Sequence, residues 1–404
     1  MTIAIILLMF SSNRILYVRY VPLSLIYIFI FFSFIVYIRY HIDRFIKISN
    51  FTHNCIIILS IIWLYDQFWL NGLNIISIFG TFLTILCAMV ILNTTILEKK
   101  KIMQTLIVSI QFIIGIAIIG WFLFLVHVPL PHFTDLSDSF YIHTVYYIFN
   151  INGFPDYQFF PRFAGPFLEP GHLGTMCVFL LYVERFNLMK IGNIILLLGV
   201  LFSLSLAAYG LMIGAIVLTL MNRNHWFWLV CIISFFILCG VGAMYYNNGD
   251  NPINQAIVLR LEMNDNGEIA GNNRTSGAFD SAYEKFLGSD DIWFGVGQKA
   301  FGTRDNGTDN ITIGCATYKR YFFLRGIFGS VAICLFLFFY FYKYRNRVTF
   351  GLMIVYVIAN CIRDYPTMEM WMFFYLLAIP ILGKVHKKDF YRVHSTKKYH
   401  YINI

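Results

Sequence analysis

Charge is scarce in this sequence. Asp, Glu, Lys and Arg together make up 13% of 404 residues, about half the share of an ordinary soluble domain. So little charge excludes an intrinsically disordered chain, which stays unfolded because it is polar. Ten prolines and 28 glycines are too few for a collagen-like or low-complexity chain. The eight cysteines form no framework. Cys55, Cys87, Cys177, Cys231, Cys239, Cys334 and Cys361 lie in or beside apolar runs, Cys315 alone lies in a long polar stretch, and no CxxC occurs. Neither a disulfide scaffold nor a structural zinc site follows from such spacing. P-loop, HExxH, GxSxG and dinucleotide fingerprints are missing as well. No acidic cluster calls for a metal, and the expectation is a protein without cofactor. The first ten residues lack the basic start of a cleaved signal peptide.

Apolar residues are abundant instead: 59% of the chain is hydrophobic, 19% is aromatic, and the mean hydropathy is +0.68. One globular core could not bury that much apolar surface. The expected fold class is an all-α, polytopic integral membrane protein, because a helix crosses the bilayer with about 20 apolar residues. Runs approaching that length cover residues 22–38, 54–70, 73–97, 102–128, 166–183, 191–206, 207–221, 226–246, 321–342, 349–362 and 368–382. A short run at 2–10 brings the expectation to eleven or twelve spans. Residues 54–97 are too long for one helix and should break near Asp66 and Asn71-Gly72. Residues 190–221 should break near Ser203–Gly210.

The formal net charge is +9. Basic residues recur between apolar runs instead of gathering on one solvated face, which favours a positive-inside bias over nucleic-acid binding. Segments 39–47, 99–101, 185–190, 223, 343–347 and 384–404 carry 18 of the 30 Lys and Arg residues, and one alternation places all of them inside. The opposite side then receives two long loops. The chain is therefore divided into N-terminal spans 1–128, a first outer loop 129–165, central spans 166–245, a large outer loop 246–316, C-terminal spans 317–383 and a basic inner tail 384–404. Within the large loop, residues 276–287 set Phe279, Tyr283 and Phe286 at helical spacing, the pattern of a short amphipathic helix.

Three constellations could carry chemistry. The first is Arg162-Phe-Ala-Gly-Pro-Phe-Leu-Glu169-Pro170-Gly-His172-Leu-Gly174. Pro170 suits a first helical position, and the helix start adds unpaired N–H groups and a positive dipole end to the charge of Arg162. Glu169 and His172 are three residues apart and share a face once a turn forms. A plain helix cap is the competing reading of Glu169. The second is Arg274 in Gly271-Asn-Asn-Arg274-Thr, followed by Ile292-Trp-Phe-Gly295-Val-Gly297, for which a solvated arginine ahead of a glycine turn is the competing reading. The third is Tyr318-Lys319-Arg320-Tyr321-Phe-Phe-Leu-Arg325-Gly326-Ile-Phe-Gly329. Its cations stand at the outer end of a span, where the positive-inside rule depletes them, and Arg325 lies deep enough to need a partner. Arg363-Asp364 forms a further outer pair, most simply a local salt bridge.

In their order and spacing these stretches resemble the O-antigen polymerase and O-antigen ligase superfamily of bacterial membrane glycosyltransferases. Arg162–Gly174 resembles the family's Arg-Gly-Glu-Pro stretch at a helix entry, and Ser203-Leu-Ser-Leu-Ala-Ala-Tyr209 its Ser-rich hairpin. Arg274 with Phe294-Gly295-Val-Gly297 resembles its large-loop signature, and Gly326-Ile-Phe-Gly329 the Gly-x-x-Gly that opens the next helix. The family's ligases carry a His-Asn, His-Ser or His-Gln pair ahead of that Gly-x-x-Gly. Here the matching positions are Cys315 and Ala316, which favours the polymerase branch over a ligase. A flippase or other lipid-linked sugar transporter is the further alternative; it would not need two long polar loops on one side.

The resemblance implies a metal-independent enzyme of the bacterial cytoplasmic (inner) membrane with its site facing outward. It would polymerise polyprenyl-pyrophosphate-linked repeat units into O-antigen or capsule. Its implied partners are that lipid-linked glycan, membrane lipid, a chain-length regulator and a flippase, with no nucleic acid. Glu169 or His172 would be the catalytic base. Arg162, Arg274, Arg320 and Arg325 would neutralise pyrophosphate, with Tyr318, Tyr141, Tyr157 and Trp293 available to stack on sugars.

Overall fold

In the computed structural model, the described residues are 1–11, 23–46, 48–135, 143–146, 149–152, 162–167, 169–223, 244–249, 277–298, 317–362 and 369–383, with single positions between 234 and 254. Arg274, Cys315, Ala316, Tyr141, Tyr157, Arg363, Asp364 and the basic tail lie outside them.

The described chain is mostly helical. In order come α1 (Thr2–Ser11), α2 (Leu23–Tyr40), α3 (Ile42–Ile46), α4 (Asn50–Asp66), α5 (Ile75–Asn93) and α6 (Ile96–Leu125). Next follow α7 (Pro170–Val183), α8 (Ile191–Phe202), α9 (Leu206–Arg223), α10 (Gly277–Leu287), α11 (Thr317–Lys343), α12 (Arg347–Ile362) and α13 (Glu369–Leu382). Among the described residues, four stretches are long and apolar enough to cross a membrane: Asn50–Asn71, Ile75–Asn93, Ile96–Leu125 and Tyr318–Lys343. Six shorter apolar helices accompany them, including Pro170–Val183 and Met370–Leu382. Together these apolar helices mark the chain as membrane-associated. The expected run 226–246 falls largely outside the described residues.

Local chemistry sets the helix ends. Ser49 starts α4 by accepting from the Thr52 N–H, and Asn74 starts α5 by accepting from Ile76 and Ser77. Thr95 and Glu98 form a capping box at α6, satisfying two donors that every helix start leaves open. One turn on, buried Lys99 reaches back from Nζ to the Leu92 and Thr94 carbonyls, at 3.2 and 2.6 Å. A lysine thereby caps the end of α5 with the charge that a helix C-terminus favours.

Both expected breaks are present. After Asp66 the helix widens into a π-turn, Gln67–Asn71, and Gly72 turns the chain at φ 64°. Gln67 pins this corner: its Nε2 donates to Gly72 O at 2.8 Å, and its Oε1 accepts from Ser77 and Thr81. Between α8 and α9 the break falls at residues 203–205, with Leu204 at φ 45°.

Two expectations need correction. The all-α reading omits a small antiparallel sheet in the first long loop, of order β1-β2-β3: β1 (Phe133–Asp135), β2 (His143–Val145) and β3 (Asn150–Asn152). Three-residue strands are too short to leave a legible alternation. The span expected at 321–342 begins earlier, at Thr317, and is interrupted at Gly326 (φ 63°, ψ −164°).

The core centres on α7 and α13. Every α7 residue except His172 is buried, and so is every α13 residue from Met370 to Leu377. Fourteen residues at about 1.5 Å each span about 21 Å, short of a bilayer core of about 30 Å. Ahead of α7, Phe163, Ala164 and Phe167 are buried as well.

Candidate functional site

The first constellation folds onto the break between α8 and α9. A helix end leaves its last carbonyls without intrahelical partners. Here the Phe163 N–H donates to Phe202 O at 3.1 Å, and Arg162 Nε donates to Ser203 O at 3.2 Å. The arginine is half-buried. Its neighbour Phe163 is fully buried and lies 5.6 Å from the Trp121 ring. A turn closed by Phe167 N–H to Ala164 O, at 3.1 Å, then delivers the chain to α7.

Glu169 occupies the N-cap position of α7 and Pro170 its first turn, as the sequence suggests. The Glu169 carboxylate makes no capping hydrogen bond; the His172 N–H instead closes the first turn on the Glu169 carbonyl at 3.0 Å. His172 is half-buried, on the same first turn. Gly174 lets α7 approach the break: a Cβ there would lie 2.5 Å from the Ala208 Cβ and 2.9 Å from Ser203 Oγ. Two stretches that stand apart in the sequence, 162–174 and 203–209, thus form one packed unit.

The second and third constellations also meet. Gly326 interrupts α11, and the turn 293–297 fills the gap. Val296 N–H donates to Phe323 O at 2.9 Å, and Phe328 N–H donates to Trp293 O at 3.0 Å. Gly295 (φ 80°) and Gly326 (φ 63°) face each other, each in a backbone region that side chains disfavour. Each also lies so close to the other strand of backbone that a Cβ would collide with it. Tyr65 of α4 donates to the Phe294 carbonyl and, at 3.4 Å, to the Arg325 carbonyl.

Arg325 has the partner that its depth demands. Its Nε and one Nη donate to the Asp66 carboxylate at 2.8 and 3.2 Å, both side chains nearly buried. Its guanidinium also lies 4.2 Å from the Tyr321 ring centroid. Asp66 is absent from the three sequence constellations, although an acid at the end of an apolar run is the natural partner for a deep arginine.

At the start of α11, Lys319 pairs with Asp280 of α10 at 2.9 Å, while Tyr318 is exposed. Arg320 is half-buried, and its Nε has no hydrogen-bond partner among the described residues. The expected amphipathic helix is α10. Phe279 and Phe286 bury against Phe323, with rings 5.4 and 5.2 Å apart. Burial there raises the Tyr283 phenol above its ordinary pKa, against the pull of Lys319.

Of the site residues expected from sequence, Arg162 is bonded to the Ser203 carbonyl, and Glu169 and His172 share the first turn of α7. Tyr318, Arg320 and Arg325 all lie on α11, Arg325 being engaged by Asp66, and Arg274 lies outside the described residues. The sheet adds a row the sequence could not announce: Asp135, His143 and Asn152 are cross-strand partners. Set against known proteins, the chain matches no family model, no curated protein and no solved structure.

Proposed function

We propose that this protein is a membrane glycosyltransferase of the O-antigen polymerase type. It joins polyprenyl-pyrophosphate-linked repeat units on the outer side of a bacterial cytoplasmic membrane. The observation that carries the reading is a pairing. The four stretches behind the family resemblance, dispersed between residues 162 and 329, fold into two tight contacts: 162–174 on 203–209, and 293–297 in the break at Gly326. Chance matches scattered along a chain have no reason to meet in this way, whereas parts of one device do.

In this reading the chain spans the membrane eleven or twelve times and turns residues 129–165 and 246–316 outward. The pyrophosphate of the donor is a good leaving group that needs its charge met more than it needs an acid. Arg162 and Arg320, with Arg274 from the large loop, supply planar donors that stay protonated. Glu169 or His172, on the first turn of α7, takes the proton of the attacking sugar hydroxyl. Arg325 is engaged by Asp66 and holds structure beside the site.

Incubating the purified protein with a defined lipid-linked repeat and counting repeats in the product tests the reading. A ladder of lengthening lipid-linked chains is the expected result. Transfer of single repeats without lengthening would point to the ligase reading, and movement across a vesicle without transfer to a flippase.

A further inference from the structure

The Asp66–Arg325 pair joins two helix irregularities. α4 passes into its π-turn immediately after Asp66, and α11 breaks immediately after Arg325. The turn 293–298 sits between them. On one side it is bonded into the break through Phe323 O and Phe328 N–H. On the other it meets the π-turn corner, where Gly297 faces Trp69 and Gln298 faces Gly72. Tyr65, one residue before Asp66, bonds to carbonyls of both the turn and the break.

We propose that Asp66 is a positioning residue. Acting through Arg325, it fixes the α11 break against α4 so that the turn 293–298 seats there, and with it α10. The physical reason is the cost of neutralising Asp66. An arginine held in an apolar span without its counter-charge is strongly disfavoured. Arg325 then leaves its place, and Gly326, the next residue, moves with it. Phe323 O and Phe328 N–H, which hold the turn, flank that glycine. The seating is a property of the fold. Its effect on turnover rests on the function proposed above.

Hydrogen exchange of the full chain in detergent separates the two. In Asp66→Asn, amides of 293–298 and 325–328 should exchange about tenfold faster or more, while those of α5 and α6 keep their rates. Asp66→Glu should restore slow exchange, at least in part. With a lipid-linked repeat as substrate, Asp66→Asn should raise KM about tenfold and change kcat by less than about threefold, because a displaced outer segment weakens binding before it alters chemistry. Should Asp66→Asn not accumulate, adding Arg325→Met removes the uncompensated charge: recovery of the protein with slow exchange at 293–298 is expected, and failure to recover would overturn the proposal. Unchanged exchange at 293–298 in Asp66→Asn would overturn the proposal, and so would equal acceleration throughout the chain without rescue by Glu. A chain that polymerises nothing in any form, wild type included, would overturn the proposed function, while exchange would still decide the role of Asp66.

Discussion

Arg162 Nε donates to the Ser203 carbonyl at 3.2 Å, across 41 residues of sequence. One edge of the guanidinium is thereby spent on holding the chain to the end of α8, which fixes the direction of the rest of the fork. Arg162→Ala should abolish polymerisation with the protein still present in the membrane. A charge-assisted hydrogen bond is worth about 1.5–3 kcal/mol, or roughly a 10- to 150-fold loss, and more where a phosphate is left unmatched. Arg162→Lys should recover only part, because lysine keeps the charge and loses the fork. Arg274→Ala should behave in the same way. Wild-type ladders from both alanine variants would remove these arginines from the mechanism.

The facing glycines give a steric prediction. Gly326→Ala places a Cβ about 2.5–2.6 Å from backbone atoms of Gly295 and Trp293, at φ 63°. Backbone cannot swing aside as a side chain can, so the turn must leave the break. Gly214 has open space around it, and Gly214→Ala should be neutral or slightly stabilising, since alanine favours a helix by about 1 kcal/mol. Thermal unfolding of the two variants in detergent decides the matter; equal midpoints would refute the close approach.

A third prediction separates charge from apolar contact at α10. The Lys319–Asp280 pair is partly exposed, with side chains 27% and 41% accessible. Such pairs contribute about 0–1 kcal/mol. Phe286 is 3% exposed and packs on Phe322 and Phe323. Truncating a buried phenylalanine costs about 3–5 kcal/mol. Asp280→Ala should therefore leave α10 protected from trypsin at Lys285, while Phe286→Ala should expose it. The reverse order would mean that the ion pair, not the aromatic cluster, seats this helix.

What was legible in the sequence depends on what each signal measures. Apolar runs and Gly or Asn corners report on local chain chemistry, so the Asn71-Gly72 corner, the 203–205 break and α10 stand where the pattern puts them. The Gly326 break was visible only as a glycine in an apolar run. Its stability comes from the turn 293–297, a contact between distant residues that periodicity does not encode. Asp66 was hidden for the same reason. Arg325 announced a need for a partner, but 259 residues separate the pair, and a single sequence cannot link them. The Glu169 carboxylate shows the opposite limit. Its position at a helix start was legible, whereas the absence of a cap bond belongs to the folded geometry.

Orientation supplies a prediction that is independent of chemistry. The 18 basic residues assigned to one side imply that Asn266 and Lys388 lie on opposite sides. Cysteines placed there should react differently with an impermeant maleimide in intact cells: Asn266→Cys promptly, Lys388→Cys only after permeabilisation. Equal labelling from outside would sink the arrangement, and with it an outward-facing site.

The last prediction concerns the base on α7. Glu169 and His172 share the first helical turn, joined through the His172 N–H and the Glu169 carbonyl at 3.0 Å. The Glu169 side chain makes no capping hydrogen bond, and the helix dipole favours its ionised form at this position. A carboxylate is a weak base, and a weak base suffices if pyrophosphate departs early and the sugar hydroxyl loses its proton late. Glu169→Gln should then remove turnover by about 10²-fold or more while leaving donor binding intact, in line with the usual worth of a general base, and His172→Asn should be mild. If His172 takes the proton and Glu169 orients it, the order reverses. Activity should then also fall in acid as the imidazole charges. The carboxylate is the better candidate, because it stands at the helix start nearest Arg162 in sequence, where the leaving phosphate would be held. Single-turnover rates for the two variants, measured across pH with donor binding scored separately, distinguish the roles. If both substitutions leave rate and polymer length unchanged, neither residue is the base.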